Sequence, residues 1–126
     1  MLEKIDHVGI AVADLEAAIA AYTALAGKGP SHRTVVESDG IEAVMFEVGE
    51  SRIELLGATR PDSKISNFLA KRGGGIHHVA YGVADVRASL DQYAAMGLRL
   101  LDEHPRKGAA EGWRKATRRP AAPLRG

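Results

Sequence analysis

Two histidines and one glutamate, His7, His78 and Glu54, carry the chemistry this sequence suggests. Each histidine sits in a short apolar run, IDHVGIAV for His7 and IHHVAYGV for His78. A lone strand histidine is most often structural. Two histidines at equivalent positions of a duplicated unit invite another reading: if the halves pack about a pseudo-twofold axis, both rings can point into one cavity. Glu54 lies in RIELL, where a carboxylate is costly to bury unless something cationic meets it. The alternative is a solvated face, which is common in antiparallel sheets. Two imidazoles and a carboxylate make a plausible ligand set for a divalent Zn, Co, Ni or Mn ion. His77, one residue off, is expected on the opposite side of its strand in a structural role.

The duplication is direct. Residues 5–26 and 76–97 align at a constant offset of 71, with nine of 22 positions identical, among them His7/His78, Asp14/Asp85 and Tyr22/Tyr93. Two copies are too few for a solenoid, so each is half of one domain. In the first, residues 4–13 alternate as a strand, with His7, Gly9 and Ala11 on one face. Asp14 then caps a helix whose stripe is Leu15, Ala18, Ile19, Tyr22 and Leu25, and Gly27 closes it. Strand-like segments follow at 31–37, 41–48 and 52–56, separated by turns at 38–40 and 49–51. Short turns favour antiparallel pairing, giving a β-α-β-β-β module over residues 1–58. A connector, 59–75, holds a short helix with Ile65, Phe68 and Leu69 and ends in three glycines. The second module, 76–108, begins with a strand at 76–83. Asp85 caps a helix striped by Val86, Leu90, Tyr93 and Met96, and a strand at 98–101 follows.

The two further strands that the repeat calls for do not follow. Residues 109–126 have no alternating apolar run, contain Pro120 and Pro123, and read as a basic, disordered tail. Residues 1–105 carry 10 Lys/Arg against 15 Asp/Glu, whereas residues 106–126 carry 7 against one. The acidic body and the absence of a recognisable motif argue against a nucleic-acid partner. Hydrophobic content of 45% and charged content of 26% fit one soluble domain, and the absence of cysteine excludes disulfides and thiolate sites. With no long apolar run and no leader, no membrane association is expected and a cytoplasmic location is the default. Glu42 and Glu47 are candidates for proton transfer, though strand-end charges in water explain both. Lys71 and Arg72 could meet a phosphate-bearing substrate, or simply end a helix in solvent. The glycine run matches neither a P-loop nor a dinucleotide fingerprint.

The segments IDHVGIAVADLEAAIAAY, SRIELLGATRPDSKISNFLAKRGGGIHHVAYGV and LRLLDEHPRKGA resemble the methylmalonyl-CoA epimerase family of the vicinal oxygen chelate superfamily, over about residues 4–108. The resemblance implies an α+β fold in which paired β-α-β-β-β modules form a cupped mixed sheet around a divalent metal, here with an incomplete second module. It implies a homodimer acting on an acyl-CoA, inverting the carbon between thioester and carboxylate through an enolate. It places metal ligands at His7, Glu54 and His78. Its fourth ligand, a Glu on a last strand, has no counterpart, and its second proton-transfer Glu falls at Ala43, so the catalytic bases stay unassigned. The tail reads like a frame change near Ala109, and weak metal binding with low or absent epimerase activity is expected. A glyoxalase I-like lyase and a non-catalytic small-molecule binding module of the same fold are the alternatives.

Overall fold

The computed structural model describes residues 2–100, 106–107, 114–115 and 118–120, with side-chain environments up to residue 97. The chain is α+β and divides into two units, Lys4–Gly82 and Val83–Gly126 together with Met1–Glu3.

The first unit is built on strands β1 (Leu2–Ala11), β2 (His32–Val36), β3 (Ile41–Val48), β4 (Ser51–Ala58) and β5 (Gly75–Val83), with helices α1 (Leu15–Ala26) and α2 (Lys64–Arg72). The strands form one mixed sheet in the order β2-β3-β4-β1-β5. β2, β3 and β4 pair antiparallel through short turns, and β1 joins β4 in parallel, with Gly9 opposite Glu54 and Ile10 opposite Leu55. β5, from the second copy of the repeat, lies beside β1 at the sheet edge.

Alternation along these strands creates two different faces. One carries Ile10, Val44, Phe46, Ile53 and Leu55, and α1 packs on it through Leu15, Ala18, Ile19, Tyr22 and Ala26. Val44, Phe46 and Leu55 are fully buried there, and burial of each such side chain contributes about 1.5–3 kcal/mol. The helix starts where Asp14 accepts the amide of Ala17 at 3.0 Å and stops at Gly27, whose φ of 73° is left-handed. Leu25, expected on the apolar stripe, is 78% exposed. Leu25 falls about 80° around the helix from Leu15, just beyond Ala18 at the margin of the stripe, whereas Ala26 falls near its centre. Arg33 ties this layer down by binding Glu42 on β3 and Glu16 on α1. Those two carboxylates, Glu42 foremost, raise the guanidinium pKa above its ordinary value.

The connector holds the short helix expected there, and Ser63, buried and hydrogen-bonded to the amide of Ser66, caps it as α2. In the second unit, Asp85 caps α3 (Val86–Ala95) by accepting from Ala88, as Asp14 does for α1. Ser89 and Leu90 are its buried residues, whereas Met96, expected on its stripe, is exposed. β6 (Leu98–Leu100) pairs antiparallel with β9 (Arg118–Pro120), and β7 (Arg106–Lys107) with β8 (Arg114–Lys115). Most of the sequence read as a disordered tail lies outside the described residues.

Replacing Leu55 by Ala is expected to lower the unfolding free energy by about 2–5 kcal/mol, because it opens a cavity under α1. Val35→Ala, at a half-exposed strand position, is expected to change it by less than about 0.5 kcal/mol. Urea titration followed by circular dichroism distinguishes the two.

Candidate metal centre

The sheet face opposite α1 holds the chemistry. Pairing in register puts His7, Gly9 and Ala11 of β1 on the same face as Glu54 and Leu56 of β4 and as Ala43 and Met45 of β3. Ala11, Ala43, Met45 and Leu56 are all buried and surround Glu54 with apolar surface. The Glu54 side chain is only 7% exposed, so its charge needs a partner.

Its partners are the two histidines. Nε2 of His7 lies 3.5 Å from Glu54 Oε1, and Nε2 of His78 lies 3.4 Å from the same oxygen. The two Nε2 atoms are 3.2 Å apart, and the rings meet edge to face at 89°. Three donor atoms therefore form a nearly equilateral triangle. Protein ligands at about 2.0–2.2 Å from one ion are forced to comparable mutual separations. Among the described residues, His7, Glu54 and His78 are the group able to hold a metal ion in this way.

The strand order explains how β5 reaches β4. β1 lies between them, and its residue opposite Glu54 is Gly9. The His78 ring lies across that glycine: a Cβ on Gly9 would fall 2.2 Å from Cε1 and 2.5 Å from Nδ1 of His78. The missing side chain is thus the space the ring occupies. Strand alternation places Gly9 on the His7 face but gives it no role. Aligning the copies sets Gly9 against Ala80, a difference that could have drawn attention to it.

His7 is oriented from behind. Its Nδ1 donates to Asp6 Oδ2 at 2.8 Å, and the same oxygen lies 3.5 Å from Arg52 Nη2. An ionised carboxylate only accepts, so the His7 proton resides on Nδ1 and Nε2 offers its lone pair to the centre. This arrangement fits a metal ligand.

The other candidates fall elsewhere. Glu42 is turned to the α1 side and engaged by Arg33, while Ala43 faces inward. Glu47 lies 3.9 Å from Arg52 Nε. Arg72 places its guanidinium carbon 6.0 Å from the centre of the Phe68 ring. His77 departs from expectation: its Nδ1 is 3.0 Å from Nδ1 of His78, and its ring packs edge-on against Phe68 with centroids 4.9 Å apart. Alternation fixes where a Cβ points, and an imidazole is long enough to bend back to its neighbour.

The sequence profile of the Glyoxalase/Bleomycin resistance protein/Dioxygenase superfamily matches residues 6–117. The chain is 35% identical over 113 residues to the ethylmalonyl-CoA/methylmalonyl-CoA epimerase of Cereibacter sphaeroides, spanning 89% of this chain and 84% of that one. The chain belongs to the methylmalonyl-CoA epimerase family of that superfamily. A solved structure of a methylmalonyl-CoA epimerase in complex with methylmalonyl-CoA and NH4+ superposes with a TM-score of 0.87 at 38% identity, covering 95% of this chain and 87% of that chain. The Mycobacterium tuberculosis methylmalonyl-CoA epimerase superposes with a TM-score of 0.80 at 36% identity, covering 86% and 74%. No helix among the described residues of this epimerase-family chain is long and apolar enough to cross a membrane.

Gly9→Ala should fold, since alanine suits a strand at least as well as glycine. Its methyl group would displace the His78 ring, so metal affinity is expected to fall at least ~10-fold, the scale on which misplaced ligands register. Isothermal titration with Co2+ or Zn2+, beside a thermal melt of the metal-free variant, checks both halves of this expectation.

Proposed function

We propose that this chain interconverts the R and S forms of methylmalonyl-CoA, with one divalent metal ion held by His7, Glu54 and His78. The observation that supports it most is the meeting of three donor atoms within 3.5 Å of one another on the site face of a fold shared with known epimerases. The borderline nitrogen and oxygen donors suit Co, Zn, Ni or Mn.

The reaction asks for removal of a proton from the carbon between thioester and carboxylate, and for its return on the opposite face. When bound, the metal would supply positive charge opposite the substrate oxygens on which enolate charge develops. The protein's task is to hold that charge in place and keep it undiluted. His7 and His78 bind as neutral rings and Glu54 adds one negative charge, so a dipositive ion would retain net positive charge toward an anionic substrate. The apolar side chains around Glu54 keep the local dielectric low, which strengthens this field. Asp6 keeps the His7 proton on the far side of its ring, leaving the lone pair inward. Proton transfer on each face requires a group within hydrogen-bond reach of the reacting carbon. Glu42 is committed to Arg33 on the other side of the sheet. The family's last-strand Glu has no counterpart in the sequence, and residues 109–126 carry only Glu111 as a side-chain carboxylate. Slow turnover is the corresponding expectation.

A homodimer is part of the proposal. Among the described residues β5 is an edge strand, and it carries exposed Ile76, Val79 and Tyr81, an apolar rim for a second copy to cover. Light scattering at micromolar concentration should therefore give twice the chain mass, and a monomer would remove this element.

Deuterium incorporation at the reacting carbon of (S)-methylmalonyl-CoA, followed by NMR over hours, tests the activity. Exchange should require added metal, stop with chelator, and fall at least ~100-fold in His7→Ala and Glu54→Ala, equivalent to about 2.7 kcal/mol of transition-state stabilisation. Isomerisation of a glutathione hemithioacetal without such exchange would assign the site to a lyase. Ligand binding indifferent to chelator, with no exchange, would make the chain a binding module.

A further inference from the structure

The duplicated halves place a polar residue immediately before each histidine of the centre. Asp6 precedes His7 and His77 precedes His78, and the two pairs align at the repeat offset of 71. In each pair the preceding side chain meets Nδ1 of the following ring, Asp6 at 2.8 Å and His77 at 3.0 Å. We infer that His77 is a positioning residue for the metal centre, the counterpart of Asp6 in the other half, and that it sets which nitrogen of His78 carries the proton. The inference rests on the three-ligand reading above.

The two partners differ in one decisive respect. The Asp6 carboxylate can only accept, which fixes His7 with its proton on Nδ1. An imidazole can accept or donate at Nδ1 according to its tautomer. With His7 Nε2 bare, the 3.2 Å contact between the two Nε2 atoms is a hydrogen bond only when His78 carries its proton on Nε2. His78 Nδ1 is then bare and accepts from His77 Nδ1–H. Ligation of a metal by His78 requires the reverse, with Nε2 bare, the proton on Nδ1, and His77 Nδ1 accepting it. On each ring one proton changes place between the two nitrogens, so nothing is oxidised and no net proton is gained or lost. His77 can thus serve the empty and the metal-bound centre, while Asp6 anchors the half that does not change. Its edge-on packing against Phe68 holds the ring where both roles are possible.

Substitution at His77 separates this role from simple packing. His77→Phe keeps an aromatic ring against Phe68 and has no acceptor. His77→Asn and His77→Asp restore an acceptor, and Asp reproduces the residue of the first copy. Affinity for Co2+ is measured by competition with a chromophoric chelator, and the Co2+ visible spectrum is recorded alongside. His77→Phe should bind Co2+ at least ~10-fold more weakly than the parent, with a changed spectrum, while His77→Asp recovers most of the affinity. Equal affinity and spectra in the parent and His77→Phe would overturn the inference. Failure of His77→Asp and His77→Asn to bind better than His77→Phe would do so too. His78→Ala keeps the two readings apart: loss of binding there with an unaffected His77→Phe refutes only the role of His77, whereas unchanged binding in His78→Ala refutes the metal centre itself. Thermal melts of the metal-free variants show whether each has folded.

Discussion

The passage of the His78 ring across Gly9 is the contact on which the centre depends. β4 and β5 are not neighbours, since β1 runs between them. A carboxylate on one and an imidazole on the other can meet only if the intervening strand offers no side chain at that level. Gly9 provides that gap on β1, and His7, two residues earlier on the same face, completes the triangle. The parallel pairing of β1 with β4 sets the register that puts Gly9 opposite Glu54. A one-residue slip would place Ile10 there and turn His7 to the α1 side.

That register is secured on the other face. Ile10 and Leu55 pair across the same two strands and are clamped under α1 with Phe46 and Val44. The apolar layer and the polar centre are therefore two readings of one alternation. What fixes the core also fixes where His7 and Glu54 stand on the opposite face. The centre draws on both copies of the duplicated segment, with β1 supplying one ring and β5 the other. Neither copy alone carries the full set of donors, which gives the doubling a chemical reason.

The meeting of His7, His78 and Glu54 was legible from the sequence because each is anomalous locally: two rings repeated at a fixed offset, and a carboxylate inside an apolar strand. Helix caps at Asp14 and Asp85 were legible for a similar reason, since capping is chemistry between residues three apart. Gly9 was not, because its role follows from the order of strands in the sheet, a property of contacts far apart in the chain. The contact of His77 with His78 was not legible, because alternation describes backbone direction and not the reach of a long side chain. Leu25 was misplaced because the stripe could close on either of two adjacent residues, and the helix angle decided for Ala26. The family resemblance pointed to the superfamily and to the epimerases, and the sequence and structural similarities support both. The residues at the family's last-strand positions could not be filled from the resemblance, because residues 109–126 follow a different pattern.

The central claim is that one cation is shared by three side chains drawn from both halves. Crystals grown with Co2+ and measured at the cobalt absorption edge locate that cation directly. The account predicts a single anomalous peak at about 2.0–2.2 Å from Nε2 of His7, Nε2 of His78 and a carboxylate oxygen of Glu54. A peak bound elsewhere, or none at these side chains under saturating metal, would contradict it.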